Sequence, residues 1–139
     1  PYMDVLFPGC VLVIDAEGDN DTRSIGSTNI LDWQRAGMRG VITSGGLADS
    51  DEIIQHKVPA YHKRMGRGFR PGRNEIESVN RPITLGGVLV RPGDVVMADG
   101  DGVIVVPREH AEEVAKAAMQ YLDNIGLERY KKAHPEQKP

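Results

Sequence analysis

The stretch Gly40-Val41-Ile42-Thr43-Ser44-Gly45-Gly46-Leu47-Ala48-Asp49-Ser50-Asp51 decides how this chain is read. An apolar run with β-branched residues, Val41-Ile42-Thr43, meets a Gly-Gly pair, and a carboxylate follows. The pattern predicts a buried strand ending in a tight turn that lifts Asp49 out of the sheet. In open α/β sheets, ligands collect at the carboxyl ends of strands, where loops present polar groups over a rigid base. The glycines permit positive φ and a close backbone approach. The plainer alternative is a strand-to-helix loop whose solvated Asp caps the next turn.

Working outward, Gly9 to Asp15 is a second continuous apolar strand ending in a carboxylate, and residues 16–24 form a polar loop. Ile30 to Ala36 reads as a short helix, with Ser27 or Thr28 as its N-cap and Gly37 as its stop. The first turn of that helix leaves backbone N–H groups free at the positive end of the dipole, a seat for a carboxylate or phosphate. A cap side chain and water would satisfy the same donors. A short helix is expected over 50–55, and Val58 to His62 suits an edge strand or strand start.

Lys63 to Arg73 carries Gly, Pro and five basic residues, which predicts an irregular loop. Its default reading is a solvated surface. The sharper one is a lid whose Arg64, Arg67, Arg70 or Arg73 presents a guanidinium fork to an anionic substrate. Beyond it, two strands flank Gly86-Gly87, and Val95-Val96-Met97 turns through Asp99-Gly100-Asp101-Gly102 into a last buried strand, 103–106. Ala111, Val114, Ala118 and Leu122 then mark the apolar face of a helix, with Pro107 suited to its start.

Composition bounds the function. With 139 residues the chain is read as one domain over 1–127, followed by a polar tail over 128–139. A net charge of −3 gives no basic field for nucleic acid. The longest apolar run is too short to span a bilayer, so no membrane role is expected. The single cysteine, Cys10, excludes an internal disulfide, fits a reducing cytoplasm and sits where a small core hydrophobe belongs. No His or Cys spacing suits a closed metal site, and Asp99-Gly100-Asp101-Gly102 lacks the spaced carboxylates of a calcium loop. The chain lacks an initiator Met and enters a core strand within ten residues, so a longer natural N-terminus is expected.

Two segments together are specific. Gly87-Val88-Leu89-Val90-Arg91-Pro92-Gly93-Asp94 through Ala98-Asp99-Gly100-Asp101-Gly102-Val103-Ile104-Val105-Val106-Pro107 resembles the C-terminal signature of the RraA-like family. The spacing from Gly26 through Gly40 to Asp49 is similar to that family as well. It contains the regulator of ribonuclease activity A and class II pyruvate aldolases for 4-hydroxy-4-methyl-2-oxoglutarate and 4-carboxy-4-hydroxy-2-oxoadipate. The resemblance implies an α/β fold, the swivelling β/β/α domain, with mixed sheets and flanking helices. It further implies an N-terminal helical segment preceding the first strand here, and a homotrimer or dimer of trimers with sites between subunits. By the same resemblance, Asp49 binds a divalent metal (Mg²⁺ or Mn²⁺), partly through water, and Gly26, Ser27, Thr28 and Asn29 supply amides to a substrate carboxylate. Position 48, the family's substrate-gripping arginine, is Ala48 here, and the family's acidic residue is Ser27. The implied function is a divergent metal-dependent lyase, of aldolase or decarboxylase type, acting on a small anionic 2-oxo acid. A guanidinium from Arg64, Arg67 or Arg70 would then make up for Ala48. The alternative is a non-catalytic regulator or scaffold that binds other proteins.

Overall fold

The computed structural model describes residues 2–16, 21–72 and 74–135. These fall into two compact units, residues 1–92 and 93–139. The first unit holds β1 (Val11–Ile14), β2 (Arg23–Ile25), α1 (Ser27–Arg35), β3 (Gly40–Leu47), α2 (Ser50–Gln55), β4 (Ala60–Met65), β5 (Ile83–Leu85) and β6 (Val88–Val90). The second holds β7 (Val95–Ala98), β8 (Val103–Val106), α3 (Ala111–Tyr121) and α4 (Leu127–Ala133).

The main sheet is parallel and built on β3. The first half of β3 pairs with β1, Val11 against Gly40 through Ile14 against Thr43. Its last residues, Gly46 and Leu47, pair with β2 at Arg23 and Ile25. β4 pairs with β3 from Val41–Ala60 to Leu47–Met65, with a register shift between Thr43 and Gly46. Seven of the eight β3 side-chain positions are buried, as expected for a strand with neighbours on both sides. Val41 and Leu47 join Ile25, Ile30 and Trp33 of β2 and α1, Met38, Ile53 of α2 and Val58 in one apolar cluster. Cys10 packs against this cluster as a small hydrophobe, as its sequence context predicts.

Three expectations are corrected here. The strand does not stop at Gly45-Gly46 but runs through it to Leu47, and neither glycine has positive φ. What the pair provides is clearance. A Cβ on Gly46 would stand 2.4 Å from the Thr22 carbonyl oxygen and 2.7 Å from Gly66 Cα, and one on Gly45 would meet Ser24 Oγ at 2.8 Å. The polar loop over 16–24 contains the start of β2, which is too short and too polar to show periodicity. The irregular loop expected from Lys63 begins later, because β4 runs to Met65 on hydrogen bonds from its central neighbour β3.

In the second unit, β7 and β8 form the expected hairpin, closed by the Asp99 amide on the Gly102 carbonyl at 3.0 Å. Pro107 precedes a single short turn, Arg108–His110, that leads into α3. Two expectations of burial fail. Val106 is buried, but Ile104 is 58 % exposed, and Val114 on α3 and Leu122 just past its end are 42 % and 44 % exposed. Sequence spacing shows that a helix is amphipathic without showing what covers its apolar side. The polar tail is helical in α4 as far as Ala133.

Candidate active site

The carboxyl end of β3 delivers Asp49 with φ 58° and ψ 39°, a left-handed conformation that a short carboxylate side chain tolerates better than most. That backbone kink turns the chain into α2, yet the Asp49 side chain makes no cap for α2. It reaches instead to the start of α1. Asp49 Oδ2 accepts the Ser27 amide at 3.1 Å and the Ser27 hydroxyl at 3.3 Å. The plainer reading of a loop Asp capping its own helix is therefore set aside.

The start of α1 is shaped to receive that carboxylate. Its N-cap is Gly26, in extended conformation, rather than Ser27 or Thr28, and it makes no side-chain cap. Ser27 is the first helical residue and is buried. A Cβ on Gly26 would lie 2.6 Å from Asp49 Oδ2, so only glycine lets the carboxylate seat there with α1 in place. Asp49 thus sits at the positive end of the α1 dipole and takes one of the free donors of the first turn. Thr28 and Asn29, the next residues of that turn, line an adjoining cleft of about 280 Å³.

That cleft is bounded by β2 (Arg23, Ser24, Ile25), the α1 start, Ala48 and Asp49, and the segment Phe69-Arg70-Pro71. Ala48 is buried, and its amide donates to the Ile25 carbonyl at 2.9 Å, which locks the end of β3 to β2. The four arginines of the 64–73 segment separate clearly. Arg70 lines the cleft and donates from Nη1 to the Ser24 carbonyl at 3.0 Å. Arg67 points elsewhere, to Asp21 at 3.5 Å. Arg64 lies in β4 and does not line the cleft. Arg73 lies outside the described residues.

Sequence reasoning missed Arg23 and Phe69. The Arg23 guanidinium lies over the Phe69 ring, 4.0 Å from its centroid. Both are placed by the pairing of the 66–68 segment with residues 21–23: the Arg23 amide donates to the Gly68 carbonyl, and the Arg67 and Gly68 amides donate to the Asp21 carbonyl. The signal present in sequence was an aromatic inside the basic loop, Gly68-Phe69-Arg70, without any hint of its partner.

Among the described residues, no three acidic, His or Cys side chains cluster as a metal cage. Asp49 is the single acidic residue among those lining the cleft. With Oδ2 taken by the two Ser27 donors, Asp49 offers one carboxylate oxygen, which suits a hard cation that keeps most of its water, as Mg²⁺ does, and does not make a zinc or closed calcium site.

Comparison with known proteins decides the kinship. The RraA-like family pattern, described as Aldolase/RraA, matches residues 2–105. The chain belongs to the RraA-like family. A Halalkalibacterium halodurans relative, provisionally named 4-hydroxy-4-methyl-2-oxoglutarate aldolase, is 33 % identical over 126 residues, covering 88 % of this chain and 58 % of its own length. The fold is likewise RraA-like. Streptomyces coelicolor RraAS2, described as an unusual member of the RNase ES inhibitor RraA protein family, superposes with TM-score 0.81 at 28 % identity, over 91 % of this chain and 65 % of that one. The RNA-processing inhibitor RraA of Thermus gives TM-score 0.59 at 27 % identity, over 76 % and 63 %. The chain therefore spans about three-fifths of the length of these RraA-like relatives.

Proposed function

We propose that this RraA-like chain belongs to a divergent carbon–carbon lyase, of aldolase or decarboxylase type, that acts on a small anionic 2-oxo acid. One observation carries the reading: a fixed carboxylate, a helix start and the Arg70 guanidinium converge on one cleft although position 48 is alanine. The family kinship and the relative named as an aldolase support it.

In this reading the substrate carboxylate lies between the Thr28 and Asn29 end of α1 and Arg70, whose planar fork suits a carboxylate. Arg70 then does from the 66–72 segment what a side chain at position 48 cannot. Asp49 would hold Mg²⁺ or Mn²⁺, largely through water. When bound, that cation supplies Lewis-acid stabilisation of the negative charge that develops on the 2-oxo oxygen. With oxaloacetate, the C3–C4 bond breaks, CO₂ leaves, the electron pair passes into the 2-oxo system, and a proton from water restores pyruvate. Ser27 holds Asp49 in place through its amide and hydroxyl, so the carboxylate is oriented before ligand arrives.

The test is oxaloacetate decarboxylation with and without Mg²⁺ or Mn²⁺, in the protein and in Asp49→Ala. Metal-dependent turnover that Asp49→Ala abolishes, with an unchanged unfolding transition, is the expected result. No turnover above the metal-only rate would overturn the lyase reading. It would favour a regulator, the reading that the RraA names of the structural relatives suggest. A cytoplasmic location and assembly into a trimer or dimer of trimers belong to the same proposal.

A further inference from the structure

We propose that Arg23, oriented by Phe69, is a specificity-determining residue that binds a second carboxylate on the substrate. This deepens the lyase reading and rests on it. Arg23 is half-buried in β2, at the position paired with Gly46, and its guanidinium covers the Phe69 ring at 4.0 Å. Phe69 is itself 71 % exposed, so apolar burial does not explain its place. A guanidinium held over an aromatic ring is positioned by it and can still offer N–H donors from its edge to a planar carboxylate.

Charge within the cleft points the same way. Two arginines elsewhere in this unit have carboxylate partners, Arg67 with Asp21 and Arg35 with Asp32. Arg39 and Arg81, at the surface, form no ion pair with any described residue, so what sets Arg23 and Arg70 apart is their place on the cleft wall. Among the described residues, neither Arg23 nor Arg70 forms an ion pair, and both line the cleft. Arg70 spends one donor on the Ser24 carbonyl, next to the residue that carries the second guanidinium. The wall of one small cleft thus presents two cationic forks against the single carboxylate of Asp49. A monocarboxylate held by Arg70 and the α1 start would leave the Arg23 charge without a counter-ion. A 2-oxo acid with a second carboxylate at its far end answers it.

The probes are two stable 2-oxo acids that differ in the far carboxylate, 2-oxoglutarate and 2-oxobutanoate, titrated calorimetrically with Mn²⁺ present. Arg23→Ala should weaken 2-oxoglutarate at least tenfold and change 2-oxobutanoate less than twofold; Arg23→Lys should recover part of the loss. Phe69→Leu, with Arg23 intact, should produce a smaller loss confined to 2-oxoglutarate, and Phe69→Tyr should restore it. The unchanged monocarboxylate affinity serves as the control for folding. Equal losses for both acids, or none for either, would overturn the assignment and leave the lyase reading untouched. Selective loss in a protein that does not turn over oxaloacetate would uphold Arg23 and overturn the lyase. Failure of the unsubstituted protein to bind either acid would overturn both.

Discussion

The closest test of the site is a single methyl group at Gly26. The backbone there has φ −132° and ψ 177°, which alanine adopts without strain, so Gly26→Ala probes space alone. The new Cβ would stand 2.6 Å from Asp49 Oδ2 and 3.7 Å from its Cγ, and the oxygen must retreat about 0.8 Å to reach ordinary contact at 3.4 Å. Its bonds to the Ser27 amide and hydroxyl, now 3.1 and 3.3 Å, do not survive that shift. A charge-assisted bond is worth about 1.5–3 kcal/mol when buried, but Asp49 is exposed, so about 1 kcal/mol is the reasonable loss. Against it stands a gain of about 0.4–1 kcal/mol from the stiffer unfolded chain. The two nearly cancel, and the unfolding midpoint should move by no more than a few degrees. Function should not be spared, since a carboxylate displaced by this much no longer presents the same face to a cation. Mn²⁺ affinity and oxaloacetate turnover should each fall about tenfold or more, a loss of about 1.4 kcal/mol in each. Calorimetry and thermal unfolding on the same samples give both readouts. Unchanged Mn²⁺ affinity in a folded Gly26→Ala protein would refute the idea that the Ser27–Asp49 contact matters to the site.

Other expectations follow from the same geometry. Gly46→Ala puts its methyl 2.4 Å from the Thr22 carbonyl oxygen, where backbone rather than a side chain must yield, so urea unfolding should show a loss of about 1–3 kcal/mol or more. Arg70→Ala should raise KM for oxaloacetate about tenfold with a smaller effect on kcat, while Arg67→Ala, whose partner is Asp21, should alter neither. The exposed apolar side chains of Met97, Ile104, Val114 and Leu122 are expected to be covered in a three-fold homo-oligomer. Light scattering that gives a monomer mass at micromolar concentration would contradict that assembly.

The legibility of the fold varied with how local its causes are. β3 and α2 were readable because β-branched runs and a polar helix start announce themselves within a few residues. The Gly45-Gly46 pair was misread as a turn because sequence cannot tell a glycine needed for φ from one needed for clearance, and here Thr22 and Gly66 decide. β2 stayed hidden because Arg23-Ser24-Ile25 becomes a strand through partners at 46–47, far along the chain. Of the candidate site, Asp49, Gly26, Ser27, Thr28, Asn29, Ala48 and Arg70 do come together, and Arg64 and Arg67 do not. Whether they carry the chemistry is what the substitutions above decide. Arg23 could not be found from sequence, since its significance depends on Phe69, 46 positions later, folding back over it.

The crossing of residues 22–23 over Gly46 and Gly66 also sets how this cleft can change. A Cβ on Gly66 would fall 2.5 Å from the Arg23 backbone, as intolerable as one on Gly46. The crossing that carries Arg23 is therefore main chain against main chain and offers no side chain to vary. The lip consists of side chains at 23, 28, 29, 69 and 70, all partly or fully exposed. A randomised library should divide along that line, with substitutions at 46 and 66 depleted by lost stability and most at the lip recovered at near-normal stability. New substrate preferences would then arise by redecorating an unyielding frame, which keeps the cost of exploring them low.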